Sequence, residues 1–303
     1  MLRIFGDLDI KWMGRRKFAY MASGALLAVS IVSLIAHGGP RLSVDFTGGT
    51  VIEAKVEPPQ HADKIRTAAD RAGVGRPEIQ NIGGGGQYLF RLGVLEAKTN
   101  AFPKIKEAIE NIAPGTTVTL LREETVGPKI GSELRNKAVW AVLIALGGIL
   151  IYVGWRYEFM MALGAVIALF HDVLMTVGFV SVMNIELSLT VLAALLTIAG
   201  YSINDTIVVF DRIREQSRLL RRENFTRVID LSVNQTLSRT VLTVFTVVLT
   251  IIALIVWGGE VIRDFAVTML FGTVVGTYSS VYVASALALD IRGPETTRLR
   301  GSK

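Results

Sequence analysis

The 303-residue chain is 51% hydrophobic and 19% charged with a mean hydropathy of +0.47, a balance that excludes an ordinary soluble domain. It has no cysteine, which excludes disulfides, thiolate catalysis and cysteine-type zinc sites together. A formal charge of +6 would suggest nucleic acid in a soluble protein, but the placement of the basic residues assigns it to membrane topology, and no nucleic-acid partner is expected.

Residues 1–17 read as a cytoplasmic N-terminus, with Lys11, Arg15, Arg16 and Lys17 ahead of a first apolar stretch, Phe18 to Ala36. Crossing a hydrocarbon core of roughly 30 Å takes about 20 apolar helical residues. The stretch exceeds the usual signal core, and Ile35-Ala36-His37-Gly38 is a poor cleavage site, so an uncleaved anchor is expected. Composition turns polar and mixed in charge at Pro40, and residues 37–137 are expected to fold as a separate domain outside the cytoplasm. Thr50 to Glu57 alternates like a strand, and Ala62 to Ala72 has helical spacing of Ile65, Ala68, Ala69 and Ala72. Glu78 to Ile82 and Tyr88 to Val94 flank the run Gly83 to Gly86 as a hairpin, followed by a helix over Ala101 to Ile112 and a strand over Thr116 to Glu124. The order β-α-β-β-α-β is the α+β ferredoxin-like pattern. No Gly-Lys-Ser/Thr follows the glycines, so they read as a hairpin tip and not as a phosphate loop. Asp63, Asp70 and Glu78 lack metal-ligand spacing, and no metal, cofactor or catalytic constellation is expected. The sheet edge or face could receive an extended partner chain.

Five more spans follow, over 138–155, 159–183, 187–210, 240–257 and 265–289, with 211–239 as a basic cytoplasmic loop and 290–303 as a tail. Arg156, then Arg212, Arg214, Arg218, Arg221, Arg222 and Arg227, then Arg292, Arg298, Arg300 and Lys303 fall at alternate ends of these spans. The positive-inside rule places both termini in the cytoplasm. The fold class is a membrane α-helical protein of six transmembrane helices with an inserted domain after the first.

Ionisable groups in hydrocarbon cost several kcal/mol, so each one within a span needs a reason. His171 and Asp172 lie near the centre of the third span, and Asp205 lies about 10 Å along the fourth from its centre. Thr197, Tyr201 and Asp205 are expected on one face, at i, i+4 and i+8. Arg239 opens the fifth span at the end where the fourth stops, at a depth similar to Asp205. A carboxylate whose countercharge comes and goes with conformation can take up and release a proton. Three bland readings stand beside this one. Arg239 could snorkel to anionic head groups. Asp205 with Asn204 could be a static interhelical hydrogen-bonding site, and His171 with Asp172 a structural pair. Gly272 and Gly276, four apart and followed by Ser279 and Ser280, form a close-packing face.

The run Gly200-Tyr201-Ser202-Ile203-Asn204-Asp205-Thr206-Ile207-Val208-Val209-Phe210-Asp211-Arg212-Ile213-Arg214-Glu215 resembles the signature of the SecF family of bacterial SecDF export complexes. Asp45-Phe46-Thr47-Gly48-Gly49-Thr50, Val126-Gly127-Pro128 with Gly131, His171-Asp172, Gln235 to Thr240 and Gly276 to Ser280 look like the same family in order, over nearly the whole chain. The loop Trp155-Arg156-Tyr157-Glu158-Phe159 departs slightly from the family's Arg-Phe-Glu order. The resemblance implies half of a twelve-helix unit of the resistance, nodulation and division superfamily, located in the inner membrane and driven by the proton motive force. It implies SecD as the other half, the SecYEG channel and the SecA ATPase as the machinery served, YajC and YidC as further candidate partners, and translocating polypeptide as cargo. It also implies Asp205 as the proton-coupling carboxylate and Arg239 as its countercharge; beside them, Tyr201, Ser202, Asn204 and Thr206 are expected as a supporting polar shell, with His171 and Asp172 as weaker path candidates. A second carboxylate would come from SecD. The rival readings are a scaffold that holds SecD and the channel together without transducing energy, and a proton-driven small-solute exporter of the same superfamily. No hydrolytic or redox activity is expected.

Overall fold

The computed structural model describes residues 9–72, 77–82, 85–93 and 101–293. Gly83 and Gly84 of the glycine run, Val94, and Arg298, Arg300 and Lys303 of the tail lie outside the described residues. In chain order the first elements are α1 (Arg16–Ala36), α2 (Val44–Thr47), β1 (Gly49–Glu57), α3 (Ala62–Arg71), β2 (Glu78–Ile82), β3 (Gln87–Leu92), α4 (Ala101–Ile112) and β4 (Thr117–Val126). The long helices follow: α5 (Pro128–Arg156), α6 (Phe159–Val182), α7 (Leu189–Leu219), α8 (Phe225–Trp257) and α9 (Glu260–Ser279), then a π-helical segment (Ser280–Ala284) and α10 (Ser285–Arg292). The chain divides into two compact units, Leu42–Trp140 and the remainder.

The smaller unit has the expected β-α-β-β-α-β order, with an antiparallel sheet ordered β2-β3-β1-β4. Alternation decides its inner face. Ile52, Ala54 and Val56 of β1 and Tyr88, Phe90 and Leu92 of β3 point inward, where Ile65, Ala68 and Ala69 of α3 and Ile105 and Ile109 of α4 cover them. Across the register Ala54 lies opposite Tyr88, small against large, and Ile52 lies opposite Phe90. The Tyr88 hydroxyl donates to the Gln60 carbonyl. Burial pushes its pKa above the ordinary phenol value. Gly49 begins β1 at φ +129°, and a Cβ there would strike the Leu92 carbonyl. Gly131, in the first turn of α5, lets that helix approach the Gly48 amide to where a Cβ would stand 2.9 Å away. Pro128 starts α5 where its missing amide costs nothing.

Among the described residues six helices are long and apolar enough to span a membrane, the last being α9, the π segment and α10 read as one. Burial separates them into two classes. In their most apolar windows α6, α7 and the last span bury 56, 50 and 61% inside the chain, whereas α1, α5 and α8 bury 17, 6 and 11%. Helices inside lipid gain nothing from hiding apolar surface, so the inner three are joined by close packing and polar contacts. A Cβ on Gly164 of α6 would meet the Ala284 carbonyl at 2.9 Å, and one on Gly178 would overlap Ser30 of α1. Gly272 of α9 lies under Ile198 of α7, and a Cβ on Gly276 would stand 3.0 Å from the Ser202 Cβ. Phe179 and Phe271 stack at 4.1 Å between centroids. Two apolar clusters result. One joins Met161, Ala165, Phe210, Ile213, Val228 and Leu289, the other Ala194, Ile198, Ile251, Ala266 and Met269, and Ser202 falls between their contributions from α7.

Helix ends follow local rules. Asn184 takes φ 53° after α6, and the Ile185 amide reaches back to the Val180 carbonyl at 2.9 Å. Ser188 caps α7 and Asn224 caps α8. Residues 211–239, read from sequence as a loop, are helical except for 220–224. Both long helices run past the hydrocarbon into an arginine-rich end, and 31 and 33 residues make each about 45–50 Å long. The N-terminal segment is fastened across this end. Trp12 Nε1 donates to Asn234 Oδ1 at 2.9 Å, Asn234 Nδ2 to the Ile10 carbonyl at 2.9 Å, and the Met13 amide to Asp230 Oδ1 at 2.8 Å. Arg227 pairs with Asp9, and Arg16 with Asp290 at 3.0 Å.

Candidate functional site

The polar residues of the membrane unit collect at two adjoining junctions along α7. One complete helical turn, Ser202 to Asp205, serves both. At the first junction the α6 carboxylate of Asp172 is fully buried. Its Oδ1 lies 2.8 Å from His171 Nδ1, and Oδ2 accepts from the Ser202 hydroxyl of α7. Ser279 of α9 faces the same carboxylate without a well-formed hydrogen bond to it. Thr176 Oγ1 donates to the Asp172 carbonyl at 2.7 Å. The other imidazole nitrogen, His171 Nε2, is buried with no partner among the described residues; the ring borders an apolar cavity of about 400 Å³ also lined by Leu27, Phe170 and Leu174.

At the second junction Asp205 is 3% exposed, and its Oδ2 has no hydrogen-bond partner among the described residues. Arg239 of α8 supplies the opposite charge that acts on it but forms no ion pair with it within 4.0 Å. Arg239 is exposed. The Tyr201 hydroxyl is buried beside Asp205 and Thr243, again without a well-formed bond. Buried polar groups in a membrane are normally satisfied. This cluster therefore holds hydrogen-bonding capacity that its own chain leaves open.

The structure redistributes the polar shell expected around Asp205. Among the described residues, none of Tyr201, Ser202, Asn204 and Thr206 hydrogen-bonds the Asp205 side chain. Ser202 serves Asp172, and Thr206 Oγ1 donates to the Ser202 carbonyl at 3.2 Å. Asn204 is exposed on the outer face of α7 with Ala193, Thr197 and Gly200. Nor do Thr197, Tyr201 and Asp205 share one face: the first is exposed, the second half-buried and the third buried. At 3.6 residues per turn, eight residues rotate about 80° past two full turns, enough to carry the line from the outer face to the inner one. Gly272 and Gly276 lie against α7 at Ile198 and Ser202. The bridge from Asp172 to Ser202 was not read from sequence. Its only trace there was a serine inside an apolar run, and the partner lies 30 residues away.

No group of three or more His, Asp or Glu side chains among the described residues could hold a metal ion. Known proteins match this chain over nearly its full length. The SecD/SecF GG motif matches residues 33–60, and the family described as "Protein export membrane protein SecD/SecF, C-terminal" matches residues 104–293. The protein translocase subunit SecF of Calditerrivibrio nitroreducens is 43% identical over 95% of this chain and 96% of its own length. The chain belongs to the SecF family. SecF of Escherichia coli O157:H7 is 41% identical over 90% of this chain and 85% of its own. The crystal structure of SecDF from Thermus thermophilus, a translocon-associated membrane protein, superposes with a TM-score of 0.85 at 38% identity. It covers 94% of this chain, which spans 39% of the length of that SecDF chain. The matched range 33–60 includes Gly48 and Gly49, where β1 leaves α2 and α5 packs backbone to backbone. The chain is accordingly a multi-pass membrane protein.

Proposed function

We propose that this chain is an accessory subunit of the Sec translocon that couples proton movement to the export of polypeptides, with Asp205 as the titrating group and Arg239 as its countercharge. One observation carries the reading: a buried carboxylate with a vacant acceptor atom lies near, but not paired with, an exposed arginine. Such a site is half-built. Its completion requires a partner helix, and the exposed small and polar residues Ala193, Thr197, Gly200 and Asn204 mark the face of α7 that a partner would occupy. SecD fits that place, because the structural neighbour is SecDF and the chain spans 39% of it. The positive-inside rule supports cytoplasmic termini in the inner membrane, with the α+β domain on the opposite side, where emerging polypeptide would be met.

The deciding experiment is proton-motive-force-dependent export into vesicles containing SecD and this chain, native or Asp205→Asn, at matched membrane levels. Loss of the gradient-dependent component with assembly intact is the expected result. Unchanged export would instead make the chain a scaffold, for which the outward faces of α5 and α8 already supply surface.

A further inference from the structure

The arginine-rich end of the membrane unit holds a cavity of about 420 Å³ lined by Arg156, Asp211, Arg214, Glu215, Arg218 and Leu219. Pairing within it is uneven. Arg156 Nη2 donates to both oxygens of Asp211, at 2.8 and 3.1 Å, and the Tyr157 hydroxyl adds a third bond at 3.1 Å. Glu215 accepts from Arg212 at 2.5 Å. Both acids are therefore neutralised by other partners. The guanidinium groups of Arg214 and Arg218 have no hydrogen bond or ion pair among the described residues, and they lie one turn apart on α7, about 5–6 Å at their Cβ atoms. Guanidinium groups at that spacing match the oxygens of a phosphate, which they can grip through paired N–H donors.

The surroundings identify the kind of phosphate. Trp155, Phe159 and Leu219 stand around this end of the helices 85, 78 and 69% exposed, the arrangement of aromatic and apolar side chains that marks the boundary of the hydrocarbon. A soluble phosphate compound would leave this apolar rim without a role, whereas an acyl chain would cover it.

We propose that this cavity binds the phosphodiester headgroup of an anionic phospholipid, with Arg214 and Arg218 gripping the phosphate and Leu219 and Trp155 flanking the acyl chains. The site is separate from the Asp205 junction, and its test does not depend on export. The full chain, purified in a neutral detergent, is titrated with phosphatidylglycerol or phosphatidylcholine, and bound lipid is counted by native mass spectrometry. Arg214→Gln with Arg218→Gln is expected to weaken phosphatidylglycerol binding about tenfold, while Arg221→Gln with Arg222→Gln, the same charge loss just outside the cavity, leaves it unchanged. Arg214→Lys with Arg218→Lys, which keeps the charge, is expected to fall between them. Arg218→Gln alone, at an exposed side chain, provides the reading should the double variant not fold. Equal loss in both glutamine pairs would overturn the site in favour of a diffuse basic surface. Equal binding of phosphatidylcholine would overturn the headgroup assignment. Displacement by millimolar glycerol phosphate would overturn the lipid as the source of the phosphate.

Discussion

Ser202 is the residue on which the two polar junctions meet. Its hydroxyl supplies a donor to a carboxylate with no exposure to solvent or lipid, and its Cβ abuts Gly276. Ser202→Ala should destabilise the fold by about 1–3 kcal/mol, the cost of leaving a buried acceptor without its donor, measured by detergent-induced unfolding in mixed micelles. A neutral result would mean that Ser279 turns to replace it. Asp172 and Asp205 were both visible in the sequence as carboxylates inside apolar runs, since charge in hydrocarbon stands out against composition. Their different surroundings were not visible. Which oxygens have donors depends on the rotation of α7 against α6 and α9, and that rotation is set by side-chain packing distant in sequence.

Among the elements, α6 and the last span show how close backbones can come. Gly164→Ala should cost about 1–3 kcal/mol, because its methyl meets the Ala284 carbonyl at 2.9 Å. Gly148→Ala on α5, with nothing within 4 Å, should be neutral or slightly stabilising, since alanine is the better helix former. The same unfolding assay compares them. The π segment at Ser280–Ala284, where Ser285 Oγ donates to the Ser280 carbonyl at 2.8 Å, gave no signal in the sequence, because small residues there suit a regular helix equally well. The N-terminal strap was also unread, although Asp230, between Ile229 and Leu231, was a charge among apolar residues that needed a partner. Asp230→Ala should raise hydrogen exchange at the Met13 amide about tenfold, equivalent to roughly 1.4 kcal/mol of lost protection. Arg227 holds the Asp9 carboxyl below the usual range, so that ion pair contributes above pH ~4 and is lost as pH falls further. The β-α-β-β-α-β domain, by contrast, was legible almost residue by residue: period-two alternation in β1 and β3 and the i, i+3, i+4 spacing in α3 decide their buried faces locally.

At the scale of the whole molecule the six apolar stretches were plain, because membrane thickness imposes a length that composition reveals. How they share the interior was not, since a lipid-facing helix and a buried one are equally apolar. Energy limits what the proposed coupling can do. One charge moved through 100 mV releases about 2.3 kcal/mol, while turning a two-state equilibrium from 1:99 to 99:1 takes about 5.5 kcal/mol. A single proton at that potential biases a motion without completing it, so more than one proton, a larger driving force or nearly balanced states are required. The outward polar seam of α7 has a further consequence, for the life of the chain in the cell. Before a partner arrives, Asn204 and Thr197 are exposed on a membrane-spanning helix, an arrangement that favours misassociation between newly made copies and recognition by membrane quality control. Unassembled copies should therefore be short-lived, and a pulse-chase comparison with and without SecD would show whether synthesis of the two halves must be kept in step.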